Sequence, residues 1–209
     1  MILELYGLTG SGKTFLAEKL KRRGLEITKF NSKLQKYSNS LLFMIKNPLT
    51  SFNLFLELNT NSCIKLDKLN FSRKVKLRVI RNILLLSTMA HYNKAESKEN
   101  SLVDEGFFQI IHTIYERKKN LKSIKRLIDK IKKPDALILL NIKKSLRAKR
   151  LKERNLPRKD LFGPVYFDDW HNAMEHNDKI IRDLLKKQNR FKVIEIKNDR
   201  DIKNLELFF

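Results

Sequence analysis

The chain has 209 residues, with 45 Lys and Arg against 23 Asp and Glu and a formal net charge of +22. That length suits one α/β domain with a buried core, and 42% hydrophobic content excludes a disordered chain. A single cysteine, Cys63, excludes an internal disulfide and fits a reducing, cytoplasmic compartment. No uncharged apolar stretch reaches about 18 residues, so no membrane span is expected. The chain opens directly on a strand-like run, which predicts no signal peptide.

That run is Ile2–Tyr6, a buried strand by its apolar pattern. Gly7-Leu8-Thr9-Gly10-Ser11-Gly12-Lys13-Thr14 follows at once, and then the helix-like Phe15–Leu20. This is the G-x-x-x-x-G-K-[ST] phosphate loop, or Walker A, in its strand–loop–helix setting. Its glycines permit a tight turn with backbone N–H groups close to phosphate oxygens. The helix N-terminus beyond it favours an anion. Lys13 is suited to the β- and γ-phosphates, and the Thr14 hydroxyl to Mg²⁺. The loop predicts ATP and Mg²⁺ as ligands, held by Gly7, Thr9, Gly10, Ser11, Gly12, Lys13, Thr14 and Phe15.

The first helix is expected from Lys13 to about Arg23, capped by Gly24, and the second strand over Leu25–Phe30. Helical periodicity fills Ser32 to about Tyr92, broken near Asn47-Pro48 and near Asn59–Asn61. The polar stretch Asn93–Asn100 reads as a loop. Residues 32–100 are thus a helical insertion between strands two and three. Leu41–Leu58 reads as the buried face of the insertion helices, with contact to a membrane surface as the other reading. Arg73, Arg78 and Arg81 are candidates to hold an anionic acceptor, or to form surface pairs.

Leu102–Glu105 is a short strand ending in acid. Asp104, at a strand end beside a phosphate loop, suits a Mg²⁺ ligand acting through water or a base toward an acceptor hydroxyl. Strand alternation turns Glu105 the other way, toward the acceptor side. Helices are expected over Phe107–Lys118 and Leu121–Lys132, a strand over Ala136–Ile142 and a basic helix over Lys143–Arg154. Spacings of three and four set Arg147, Arg150 and Arg154 on one helix face, with Arg158 just beyond. Arg150 and Arg154 are expected to close over phosphates and neutralise charge as transfer proceeds, in a lid over about 143–164. A long helix from about Asp168 to Lys187, a strand at Phe191–Ile196 and a short terminal helix complete the chain. Trp170, beside Phe167, reads as core. His91, His112, His171 and His176 share no metal-ligand spacing.

Strand–helix alternation predicts one domain with a three-layer αβα fold and a five-stranded parallel sheet. Ligands bind beyond the C-terminal strand ends, where the loop and Asp104 both fall. Residues 115–160 hold 18 basic residues against 5 acidic ones. This predicts an anionic partner (nucleic acid, polyanion or membrane surface) or simply a solvated Lys-rich surface. Stacking aromatics do not interleave with these charges, which speaks against single-stranded nucleic acid.

Three motifs together, Gly7–Thr14, the acid at Asp104 and Arg150-x-x-x-Arg154, resemble the nucleoside and nucleotide kinases of the P-loop superfamily, particularly thymidylate-kinase-like proteins. The resemblance implies that the γ-phosphoryl group of MgATP passes to an acceptor: a nucleotide, nucleoside, sugar or glycan precursor. It carries the donor role to the loop, the acceptor-side acid to Asp104 and the lid to Arg150 and Arg154. Asp104 is followed by Glu105-Gly106-Phe107, not by the Asp-Arg-aromatic of thymidylate kinases, the Asp-Gly-x-Pro-Arg of adenylate kinases or the Glu-Arg-Ser of deoxynucleoside kinases. Asp-Glu-Gly-Phe-Phe-Gln, with the Asn-Pro-Leu stretch near Pro48, is similar to kinase-like proteins associated with bacterial surface-glycan synthesis. The rival reading takes Leu-Val-Asp104-Glu105 as a Walker B, making the chain an ATPase or nucleotide switch. No Leu-Ser-Gly-Gly-Gln signature accompanies it.

Overall fold

The computed structural model describes residues 1–28, 32–61, 71–98, 100–153, 163–197 and 201. Cys63, Arg154, Arg158 and the expected terminal helix lie outside the described residues, as do the last two residues of the expected second strand. In chain order the elements are β1 (Ile2–Tyr6), α1 (Lys13–Lys21), β2 (Glu26–Ile27), α2 (Lys33–Lys46), α3 (Pro48–Thr60) and α4 (Phe71–Glu96). Then come β3 (Ser101–Val103), α5 (Phe107–Ile114), α6 (Leu121–Lys130), β4 (Ala136–Leu140), α7 (Lys144–Lys152), α8 (Pro164–Lys187) and β5 (Lys192–Ile196).

The five strands form one parallel sheet in the order β2-β3-β1-β4-β5. Central β1 aligns Leu3 with Leu102 of β3 and with Ala136 of β4. β3 and β4 are buried on both faces, which is why they read as unbroken apolar runs rather than alternating ones. The chain leaves β1 toward β2 and β3 on one side and later returns to β4 and β5 on the other. The crevice at the end of β1 is therefore where ligands bind in such sheets.

Alternation along β1 divides the core. Leu3 and Leu5 face α1, packing with Leu16, Ala17 and Leu20. Tyr6 faces the larger layer with Phe107, Phe108, Ile111, Ile181 and Leu185. Among its described residues the insertion forms three helices, with α2 laid along α4. Ser40 Oγ donates to the Leu86 carbonyl (2.8 Å) and Asn93 Nδ2 to that of Asn39 (3.0 Å).

Several boundaries differ from the sequence reading. β2 pairs over two residues only. α4 continues through Asn93 to Glu96, into the expected loop. α5 stops at Ile114 and is buried on most sides, so Arg117, Lys118 and Lys119 fall in the connection after it. α8 begins at Pro164, whose fixed φ and missing N–H suit a first helical turn. Between Leu41 and Leu58 only part of the apolar surface is covered. Phe43, Leu54 and Leu58 are buried, whereas Leu41, Ile45, Leu49, Phe52 and Leu56 are exposed. Among the described residues no helix is long and apolar enough to cross a membrane.

Arg81 needs a correction of role. Its side chain is 1% exposed. Nη2 donates to the carbonyls of Leu58 (2.6 Å) and Ile114 (3.0 Å), Nε donates to that of Thr113 (3.2 Å), and Glu116 lies 3.5 Å away. These carbonyls belong to the C-terminal turns of α3 and α5, where no intrahelical donor remains. Arg81 thus ties two helix ends together inside the core and is not presented to an acceptor.

Candidate active site

The loop between β1 and α1 carries the residues expected to cradle phosphate. Gly10 and Gly12 take φ of 85° and 93°, a left-handed conformation that L side chains rarely adopt. α1 starts at Gly12 with no side-chain cap, so its first N–H groups are open toward a ligand. Lys13 Nζ rests on the Gly7 carbonyl (2.7 Å), inside the loop it would leave for a phosphate. Thr14 and Phe15 are exposed on the first turn of α1, and Ser11 is buried beneath the loop. A Cβ added to Gly12 would lie 2.9 Å from Arg150 Nη1. The guanidinium of Arg150 therefore lies against the loop at Gly12.

α7 is held there by charge. Arg147, 7% exposed, pairs with Glu175 of α8, and Lys144 Nζ lies 3.4 Å from the same carboxyl. Burial alone would raise Glu175; Arg147 and Lys144 override it and hold the carboxyl below its ordinary value. Asp104, directly after β3, is half-buried, and Glu105 is exposed. The neighbouring strand β1 leads straight into the loop, so Asp104 and Thr14 flank the same end of the sheet. A hydroxyl and a carboxylate are hard oxygen donors of the kind Mg²⁺ takes beside phosphates.

Beside the loop lies a cleft of about 170 Å³. Thr9, Glu105, Gly106, Gln109, His112 and Trp170 are in its wall, with Leu84 and Thr88 of α4 closing one side. No Arg or Lys lines it among the described residues. Arg73 and Arg78 are exposed on α4 and are not part of this wall. Trp170 combines the expected core position with a share in the wall; its Nε1 donates to the His112 carbonyl (3.3 Å).

α5, which carries Gln109 and His112, is anchored by an acid that the sequence reading passed over. Glu4 of β1 is wholly buried, with Oε1 accepting from the Phe108 amide (2.7 Å) and Oε2 from the Tyr92 hydroxyl. It caps α5 in place of Gly106, where any Cβ would collide with the Glu4 carboxyl. Burial pushes this carboxyl up to about 7.

His112, Gln109 and Tyr6 were also missed. The available signal was the run Phe-Phe-Gln-Ile-Ile-His-Thr-Ile, apolar all round, which marks a buried helix and makes its polar members informative. Among the described residues no cluster of three His, Cys, Asp or Glu could enclose a metal ion.

No family model matches the chain, and no characterised sequence matches it either. Two solved structures of deoxyadenosine kinase from M. mycoides do. The form with the products dCMP and dCDP matches with a TM-score of 0.55 at 13% identity, covering 100% of this chain and 98% of that one. The form with bound dATP matches with a TM-score of 0.52 at 13% identity, with the same coverage. The chain therefore shares the overall fold of these structures, and its own sheet has five parallel strands.

Proposed function

We propose that the chain is a kinase transferring the γ-phosphoryl group of ATP to a neutral, hydroxyl-bearing small molecule, a nucleoside in the first instance. The observation that carries this reading is the cleft. In a chain of charge +22, the wall beside the phosphate loop offers threonines, a glutamine, a histidine and Glu105, with no cation among the described residues. A nucleotide or sugar phosphate acceptor calls for Arg or Lys forks on its phosphate. A neutral acceptor needs none, and the likeness to structures of a deoxyadenosine kinase supports a nucleoside among neutral candidates.

In this reading the loop amides and Lys13 bind the donor phosphates, and Arg150 closes on them and excludes water. Thr14 and, through water, Asp104 would hold Mg²⁺, which neutralises phosphate charge. Asp104 is also the carboxylate suited to accept the attacking hydroxyl's proton. The attacking oxygen forms a bond to Pγ as the bond from Pγ to the β–γ bridging oxygen breaks, and ADP leaves.

The test is ADP release from ATP with nucleosides, nucleoside monophosphates, sugars and glycan precursors. Acceptor-dependent release is expected with nucleosides and not with monophosphates. A preference for monophosphates overturns the neutral-acceptor reading. Acceptor-independent turnover favours the ATPase or switch, with Asp104-Glu105 as its water-activating pair.

A further inference from the structure

Resting on the kinase reading, we propose that His112 reads the acceptor: its Nδ1 presents a fixed lone pair that accepts a hydrogen bond from an O–H or N–H group of the molecule in the cleft. The geometry behind it is a chain of hydrogen bonds running inward from α8. Arg182 Nε donates to Asp178 Oδ2 (2.6 Å), and Arg182 Nη2 to the Leu140 carbonyl (3.0 Å). An ion-paired carboxylate only accepts, so the Tyr6 hydroxyl donates to Asp178 Oδ1 (2.7 Å). Tyr6 has no second proton to give. Its oxygen lies 3.0 Å from His112 Nε2 and can only accept there, which makes Nε2 the protonated nitrogen.

The remaining question is whether the ring also carries a proton on Nδ1. Burial answers it. His112 is 2% exposed, and desolvation lowers its pKa from 6.5 to about 4, with Asp178 opposing and Lys13, Arg182 and Arg147 assisting. At neutral pH the imidazole is uncharged and Nδ1 is bare. Burial also pushes Tyr6 well above its ordinary value, so the phenol keeps the proton that sets the order. The rings of Tyr6 and His112 stack with centroids 5.6 Å apart, and Trp170 holds the His112 backbone. Orientation and tautomer are therefore both locked.

Nδ1 is buried and meets no hydrogen-bond partner among the described residues. Leaving such an atom unmet costs free energy that a donor on the acceptor recovers. Three charged or polar groups in a row, Arg182, Asp178 and Tyr6, fix an imidazole whose unpartnered nitrogen belongs to a wall residue of the acceptor cleft. The threonine hydroxyls of that wall donate or accept equally. His112 Nδ1, locked in this tautomer, only accepts. The cleft thus selects a molecule that offers His112 a donor, such as a hydroxyl or the exocyclic amine of a nucleoside.

The experiment begins with ¹⁵N NMR of the histidine-labelled full chain at pH 7, with His112→Asn to assign the signal. A pyridine-type Nδ1 and a pyrrole-type Nε2 are expected, and the opposite tautomer or an imidazolium overturns the proposal. Tyr6→Phe removes only the hydroxyl that locks the ring. With the nucleoside of highest turnover in the screen, deoxyadenosine being the first tested, the acceptor KM should rise about tenfold, the worth of one such bond. The KM for ATP should stay put. A merely structural role would move both constants or neither. Normal turnover with an unmoved acceptor KM retires His112 while leaving the kinase reading intact. No ADP release with any acceptor fails the kinase reading itself, and with it the assignment of an acceptor to His112.

Discussion

Glu4→Gln tests the buried anchor of α5 by its pH dependence. Desolvation holds the Glu4 carboxyl at about 7 against an unfolded value of 4.5, although the Tyr92 hydroxyl and the amides of Phe107, Phe108 and Gln109 pull it down. Between those values the folded protein keeps a proton that the unfolded chain releases. Stability from this group is fully present below pH 4.5 and is lost as pH rises through about 7. At about 1.4 kcal/mol per pH unit, the loss is about 3 kcal/mol. Glutamine keeps the shape, accepts from the Phe108 amide and turns its NH₂ to the Tyr92 oxygen, but does not titrate.

The wild-type curve alone would hide this effect. His112 and His91 are lowered to about 4 by burial, so the unfolded chain takes up protons below pH 6.5 that the folded chain refuses. Their contribution runs the other way, with stability rising between pH 4 and 6.5. The difference between variant and wild type cancels the histidines. Urea unfolding at steps from pH 4.5 to 8 should show that difference rising by about 3 kcal/mol in favour of Glu4→Gln. A difference that stays flat refutes the buried-acid argument.

Asp104→Asn should lower kcat about 10²-fold or more while calorimetry finds ATP affinity retained; unchanged turnover would assign Asp104 to structure. Arg150→Lys keeps the charge over Gly12 and loses the planar fork, so turnover should fall about tenfold or more with little change in Tm. If Arg150 instead belongs to a general polyanion surface, turnover stays normal and salt-sensitive binding to nucleic acid or anionic vesicles falls. Arg81→Ala strips the carbonyls of Leu58, Thr113 and Ile114 of their donor and leaves Glu116 without that cation, costing about 3–5 kcal/mol in chemical denaturation. A variant of wild-type stability with a raised acceptor KM would restore Arg81 to the site.

The parts legible in the sequence were those with a local cause. Gly7–Thr14 dictates its own backbone, and doubly buried strands such as Ala136–Leu140 stand out as apolar runs. The basic helix that carries Arg150 followed from its place directly after β4. Long-range geometry was not legible. Glu4 sits between Leu3 and Leu5 like any outward residue of an alternating strand, and only the packing of α5 over the sheet buries it. Arg73, Arg78 and Arg81 looked equivalent until referred to the buried stripe of α4. Leu77 and Leu85 lie four residues either side of Arg81, and Arg78 falls off that row, whereas Arg73 continues it one turn before Leu77 and is exposed near the start of α4. That spacing was available in the sequence and sets Arg81 apart from Arg78; Arg73 is set apart only by its place at the helix start.

The charges around the site divide it. Lys13, Lys144, Arg147 and Arg150 surround the loop, while Glu105 is the charged side chain of the cleft wall. On the reading proposed here, the acceptor enters neutral and leaves carrying about −1.5 to −2 charges. Glu105 then faces a like charge that was absent in the substrate, so it opposes product more than acceptor. An exposed carboxylate is worth about 0.2–1 kcal/mol to such an interaction. Glu105→Gln keeps the size and removes the repulsion. The monophosphate product should inhibit the variant about two- to fivefold more tightly at low salt, while the acceptor KM stays near wild type. High salt should erase the difference, because an exposed charge is screened. An unchanged product inhibition constant, or an acceptor KM that moves as much as the inhibition constant, would mean that Glu105 touches the acceptor itself rather than sorting it from its phosphorylated form.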